Sequence, residues 1–182
     1  MQHNSIEYTS SRVQAVAQAL PWRTLMPVSS ILSTGAQALS LLLLSLVVGS
    51  MFGIWRGFDF AQYTPATYLE VHQGSVRGLN LLLPALAIAT LLLVIGLAIA
   101  ARGMPTALWL YIAAAILIAI GGLITRFINQ PMNDQIMAWT AAALPADWAT
   151  VRDAWRSAHM MRLGASFAAE ILLIFAIFAH RG

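Results

Sequence analysis

Residues 78–101 read GLNLLLPALAIATLLLVIGLAIAA, with no charged side chain from end to end. At 1.5 Å per residue a helix of that length covers about 36 Å, more than the roughly 30 Å hydrocarbon core of a bilayer. Nothing else so apolar, and so long without Gly or Pro clusters, is expected in a soluble domain. Reading outward, residues 24–55 and 103–125 are equally free of charge, and residues 163–179 carry only Glu170. The pattern predicts an all-α integral membrane four-helix bundle, with spans at about 27–55, 65–101, 105–130 and 145–180. The last helix is expected to be long and partly extramembrane.

Composition agrees. Hydrophobic residues make up 59% of the 182 positions and charged residues 9%, against roughly half and a quarter in soluble domains. So few charges cannot cover the surface of a water-soluble fold, so membrane lipid is the expected partner. All ten basic residues are Arg, scattered without a run that would track a phosphate backbone, which argues for no nucleic-acid partner. The absence of cysteine removes disulfides, thiolate catalysis and Cys-ligated metals.

Residues 1–23 lack an apolar core of the signal-peptide kind. Val13, Val16, Ala17 and Leu20 fit either an interfacial amphipathic helix or a polar tail. Ser45, Gly49 and Gly53 recur every four residues, a pattern that lets membrane helices approach. Pro84 is expected to interrupt the second span at the carbonyl of Asn80. Four spans imply an integral, multi-pass membrane protein, of the inner (cytoplasmic) membrane if the chain is bacterial.

The chemical signal lies at one end of the bundle. Trp148, Arg152, Trp155, His159 and Arg162 are spaced 4, 3, 4, 3 and fall within about 40° of one line on a helix. Ser166 and Glu170 continue that line into the apolar segment. Pro145 and Asp147 mark the start of the helix. An aromatic belt explains the tryptophans, but ionisable groups running toward hydrocarbon need partners or a cavity. Glu170 therefore needs a partner on another helix. Two further segments share that side. Thr64-Pro65 is a helix start that sets Tyr68 one turn before His72, with Glu70, Gln73 and Arg77 on a neighbouring face. Arg126, Asn129 and Asn133 share a face if the helix continues through Pro131.

The segment Asn129-Gln-Pro-Met-Asn133, followed by Leu144-Pro-x-Asp-Trp148-x3-Arg152-x2-Trp155-x3-His159-x2-Arg162, resembles the anthrone oxygenase-like family of small four-span membrane proteins. Gly49/Gly53 and Glu70-x-His72-Gln73 also look like that family, so the resemblance covers most of 45–170. It implies a monooxygenase-type oxidoreductase that oxidises an apolar aromatic small-molecule substrate with O2. Such chemistry requires a base, donors for an oxyanion and a flat apolar slot. His159 is the first candidate base and His72 the second. Arg162, Arg152 and Asn129 are candidate oxyanion donors, and Trp155, Trp148, Asn133 and Tyr68 are candidate substrate contacts. No cofactor is strictly required. Two other readings stay open. One is a metal site for iron or copper built from His72, His159 and Glu70, or a haem between the histidines. The other is a non-enzymatic subunit that binds a quinone or lipid, as a homo-oligomer or within a larger membrane complex.

Overall fold

The computed structural model describes residues 28–181, so the expectation for the N-terminal 23 residues lies outside the described part. Helix α1 runs Val28–Gly57, α2 Pro65–Leu79, α3 Leu82–Ala100 and α4 Pro105–Ile124. A π-turn over Thr125–Asn129 joins α4 to α5 (Gln130–Met137), and α6 covers Trp148–Arg181. Four stretches are long and apolar enough to cross a membrane: Ser30–Gly57, Leu82–Ala100, Pro105–Met137 and Trp148–His180. Their outward faces carry large apolar side chains, with Phe178 71%, Trp109 67% and Leu92 65% exposed. In water such a surface would drive aggregation, and in lipid it is the favourable one. The protein is an all-α, multi-pass membrane bundle.

The helix ends follow from local chemistry, with three departures from expectation. The predicted second span is two helices, broken at Asn80–Leu81. Pro84 sits in the first turn of α3, where the backbone N–H groups have no intrahelical acceptor and a proline costs little. The third span continues through Pro131, but the π-turn precedes it, and the N–H of Gln130 reaches back five residues to the Thr125 carbonyl. This wider turn accommodates a ring that would clash in α-geometry and shifts the helix faces. Arg126 is therefore exposed while Asn129 and Asn133 are buried. The last helix starts at Trp148 rather than Pro145, because the N–H groups of Thr150 and Val151 both turn back to the Asp147 carbonyl.

The inward stripe of α1 is Leu44, Val47, Val48, Met51 and Ile54, all buried. Gly49 and Gly53 lie on its exposed face, and a side chain added at either would meet nothing within 4 Å. The small-residue pattern thus does not seat a neighbouring helix here, because the larger apolar residues decide which face turns inward. Close approach occurs instead between α4 and α6. A Cβ on Gly121 would come within 3.2 Å of the Ser166 hydroxyl, and Ala114, Ala169 and Ala176 are fully buried. The Ser45 hydroxyl donates to the Glu170 carboxyl, which supplies the interhelical partner that Glu170 requires.

Candidate active site

Helical spacing carries the stripe on α6 inward as expected. Trp155, His159, Arg162 and Ser166 are all buried. The outer members behave differently. Arg152 lies over the Trp148 ring at 5.0 Å, pairs with Asp153 at 2.9 Å and donates to the Phe60 carbonyl at 3.4 Å. It fastens the loop between α1 and α2 and does not reach the histidines. Trp148 packs on Tyr68 with ring centroids 5.6 Å apart, which makes it an outer wall.

The two histidines have different hydrogen-bonding states. An Arg162 guanidinium N–H donates to His159 Nδ1 at 3.0 Å, and His159 Nε2 lies 3.0 Å from the Met51 carbonyl. A guanidinium only donates and a carbonyl only accepts. The ring is therefore the neutral tautomer with its proton on Nε2, and both nitrogens are engaged. His72, on α2, is 1% exposed, and its Nε2 has no hydrogen-bond partner. Its Nδ1 lies 3.5 Å from the Tyr68 hydroxyl. Burial pushes the His72 imidazole down to about 4 because low-dielectric surroundings penalise the cation, with the neighbouring Asn133 amide opposing the fall and the Arg162 cation adding to it. Burial likewise raises Tyr68 above the ordinary phenol range, against the opposing pull of the Arg152 cation. Both side chains are neutral at neutral pH.

Trp155 stands between the histidines. Its ring stacks on His159 at 5.0 Å and meets the edge of His72 at 4.7 Å. The indole N–H donates to Asn133 Oδ1 at 2.7 Å, and Asn133 donates in turn to Asn80 at the α2–α3 break. Asn129 donates to the Trp155 carbonyl at 3.3 Å, which leaves its own Oδ1 buried and unpartnered. Phe60 caps this group with ring centroids 6.0 Å from Trp155 and 6.3 Å from His72. Gln73 pins α2 to the end of α5 through the carbonyls of Ile136 and Trp139. Phe60, Asn80, Thr125 and the Met51 carbonyl were not expected from sequence. Of these, Asn80 was marked only through its carbonyl at the Pro84 interruption, and the aromatic-rich run Phe58-Asp59-Phe60 is the signal that could have found Phe60.

Two cavities meet at this group. A small one of about 40 Å³ is lined by His72, Asn80, Asn133, Trp155, Thr125 and Arg162, among others. A larger, mainly apolar one of about 490 Å³ lies between α1, α3 and α4. They share Leu83, Pro84, Thr125 and Arg162 as a common wall. Arg162 also donates to Thr125 Oγ1 at 3.3 Å, while its Nε is buried without an acceptor.

Comparison with known families decides what this arrangement belongs to. The sequence model described as anthrone oxygenase matches residues 74–172. The chain belongs to the anthrone oxygenase family. No curated protein and no solved structure matches it. The family match is narrower than the expected 45–170. It takes in Asn80, Asn129, Asn133 and the whole α6 stripe, while α1, Tyr68 and His72 lie just outside it.

In this member of the anthrone oxygenase family the alternative three-ligand metal site of His72, His159 and Glu70 is not assembled. Glu70 is exposed while His72 is buried, since two residues along a helix turn the side chain by about 200°. The Trp155 indole packs against both imidazoles, in the space a shared metal or haem would need. Among the described residues no three His, Asp or Glu side chains are grouped to hold a metal ion.

The Trp155–Asn133 bond gives a direct test of how the site is held. Trp155→Phe keeps the ring stack but leaves Asn133 Oδ1 without its 2.7 Å donor. The expected loss of stability is about 1–3 kcal/mol, the cost of a buried unsatisfied acceptor. Thermal unfolding in detergent measures it, and an unchanged midpoint would remove this bond from the account.

Proposed function

We propose that this protein is a membrane-embedded oxidoreductase that uses O2 to convert the acidic CH2 of an anthrone-type aromatic ketone into a carbonyl, with His72 as the base. The observation that carries the reading is the buried, neutral His72 with an unpartnered Nε2, lining the same small cavity as the Arg162 guanidinium. The family membership supports the same reaction class. His159 was the first candidate base by sequence. Its two hydrogen bonds give it the role of holding Arg162 instead, and the base role passes to His72.

The cavities divide the work by size. About 490 Å³ accommodates three fused rings, whereas about 40 Å³ accommodates only water or O2. The ring system occupies the apolar chamber with its carbonyl oxygen at Arg162. With Nδ1–H donated to Tyr68, His72 Nε2 takes the CH2 proton through one water in the small cavity. The enolate oxygen is held by Arg162. As negative charge develops, the imidazole gains proton affinity, which offsets its low resting basicity.

The carbanion carbon gives one electron to O2, and recombination of the two radicals forms a C–O bond. The resulting hydroperoxide anion takes a proton from the imidazolium. Loss of the remaining C–H proton then breaks the O–O bond, giving the new carbonyl and hydroxide, which leaves as water. The net change is one substrate plus one O2 to one quinone plus one water.

The experiment is oxygen uptake by the detergent-purified protein with a simple anthrone, with quinone formation followed in parallel. Turnover above the spontaneous rate supports the reading, and its absence removes it. The pH profile tests the base. His72 must be neutral to act, and its imidazole titrates at about 4. The value of kcat/KM is expected to stay level from neutral pH down to about pH 5 and to fall below that, since it reports ionisations of the free enzyme. A limb near the ordinary histidine value would point to a different base.

A further inference from the structure

The larger cavity sits at the depth of the spans, and its two ends differ. Its walls are hydrocarbon, from Leu44, Val47 and Leu91 among others. Its inner end is Arg162, 9% exposed, whose Nη atoms are engaged while its Nε–H has no acceptor. Its rim includes Ile88 and Leu123, 60% and 56% exposed on the lipid-facing surface. Gly122 completes that rim. A Cβ built there meets nothing within 4 Å, whereas the Cβ of adjacent Gly121 would press on Ser166 at 3.2 Å. The two glycines therefore do different things. Gly121 lets α6 approach α4, and Gly122 leaves a gap at the cavity mouth.

On these grounds, and resting on the oxidase reading above, we propose that the substrate enters sideways from the bilayer through the mouth at Ile88, Gly122 and Leu123. The ligand class is a flat, uncharged aromatic ketone already dissolved in the membrane. Its rings lie along the apolar walls and its oxygen accepts from Arg162 Nε–H. An ionised, water-soluble ligand would have to shed its hydration against a hydrocarbon wall, which opposes entry by this route. Arg126 also lines this cavity but is exposed, so the buried Arg162 is the cation that selects an oxygen acceptor at the inner end and fixes which end of the molecule goes in first.

Gly122→Leu places a branched side chain at the mouth, and its Cβ meets nothing within 4 Å. Gly96→Leu is the control, since Gly96 is exposed on α3, has open space around it and lines neither cavity of the site. Two readouts are compared in lipid nanodiscs: quenching of tryptophan fluorescence by anthraquinone, and oxygen uptake with anthrone. Gly122→Leu is expected to weaken anthraquinone binding and raise KM by about tenfold, with kcat retained, on the scale of a side chain's worth of pocket discrimination. Gly96→Leu should match the wild type. If Gly122→Leu proves unfolded by thermal scan, Gly122→Val takes its place, with a smaller shift in the same direction.

If the wild type turns over and the Gly122 and Gly96 variants behave alike, lateral entry is overturned and the oxidase reading stands. If anthraquinone binding depends on Gly122 but no anthrone is oxidised, the chamber and its mouth stand and the oxidase reading falls.

Discussion

Replacing His72 with alanine is expected to lower the rate of oxygen-dependent turnover by about 10²–10⁴-fold, the usual contribution of a positioned general base. The same change at His159 is expected to act differently. His72 has an unengaged nitrogen on a small cavity, so its loss removes the proposed proton acceptor together with its packing on Trp155 and its contact with the Tyr68 hydroxyl, but leaves the partners of Arg162 in place. His159 has neither nitrogen free, so its loss releases Arg162 and the Met51 carbonyl and disturbs binding as well as rate. Steady-state kinetics separate the two. His72→Ala should depress kcat with KM nearly unchanged, while His159→Ala should raise KM and lower the unfolding midpoint. His72→Gln preserves polarity and volume without basicity and should be as slow as alanine. Restored turnover in the glutamine variant would show that His72 only positions its neighbours.

Arg162→Met is expected to cost about 10²–10³-fold in kcat, the scale measured when one preorganised oxyanion donor is removed. Methionine keeps much of the length and apolar volume of the side chain. It deletes the donors to His159 and Thr125 together with the free Nε–H. A purely structural arginine would give a fall in stability with normal turnover in the molecules that remain folded. Arg162→Lys serves as the second variant. It retains the cation but not the guanidinium fork, so it should recover part of the rate and little of the substrate orientation. Turnover per folded molecule, normalised to the folded fraction by size-exclusion profile, distinguishes these cases. Wild-type kcat in both variants would remove Arg162 from the chemistry.

Much of this architecture was legible in the residues. Uncharged length gave the spans, because lipid tolerates few alternatives to a helix. The 4, 3, 4, 3 spacing placed Trp155, His159 and Arg162 on one line, and it is that face which is buried. Even the engagement of His159 was within reach, since Arg162 three residues later lies over it on any helix.

What stayed hidden depended on backbone events without a residue signature. The π-turn at Thr125–Asn129 sends Arg126 outward and Asn129 inward. Periodicity of 3.6 cannot anticipate that change of phase. The break at Asn80 makes its side chain an acceptor for Asn133; Pro84 marks the place of the interruption in the apolar run, but not the side chain that Asn80 meets there. The Met51 carbonyl is a partner that sequence cannot name, because any residue there would offer one. Gly49 and Gly53 misled for the opposite reason: small residues permit contact but do not require it.

Helix α6 spans Trp148–Arg181, and at 1.5 Å per residue its 34 residues measure about 51 Å against a hydrocarbon thickness near 30 Å. Trp155, His159 and Arg162 ride on its first half, while the Glu170–Ser45 link and the apolar second half fix it in the bundle. The depth at which the reacting groups stand relative to the headgroups is therefore set by how far this one rod protrudes. Bilayers of different thickness change tilt and protrusion together. Lipid chain length thus becomes a mechanical input to the site, acting on where the chamber mouth opens relative to the region in which an apolar aromatic molecule partitions.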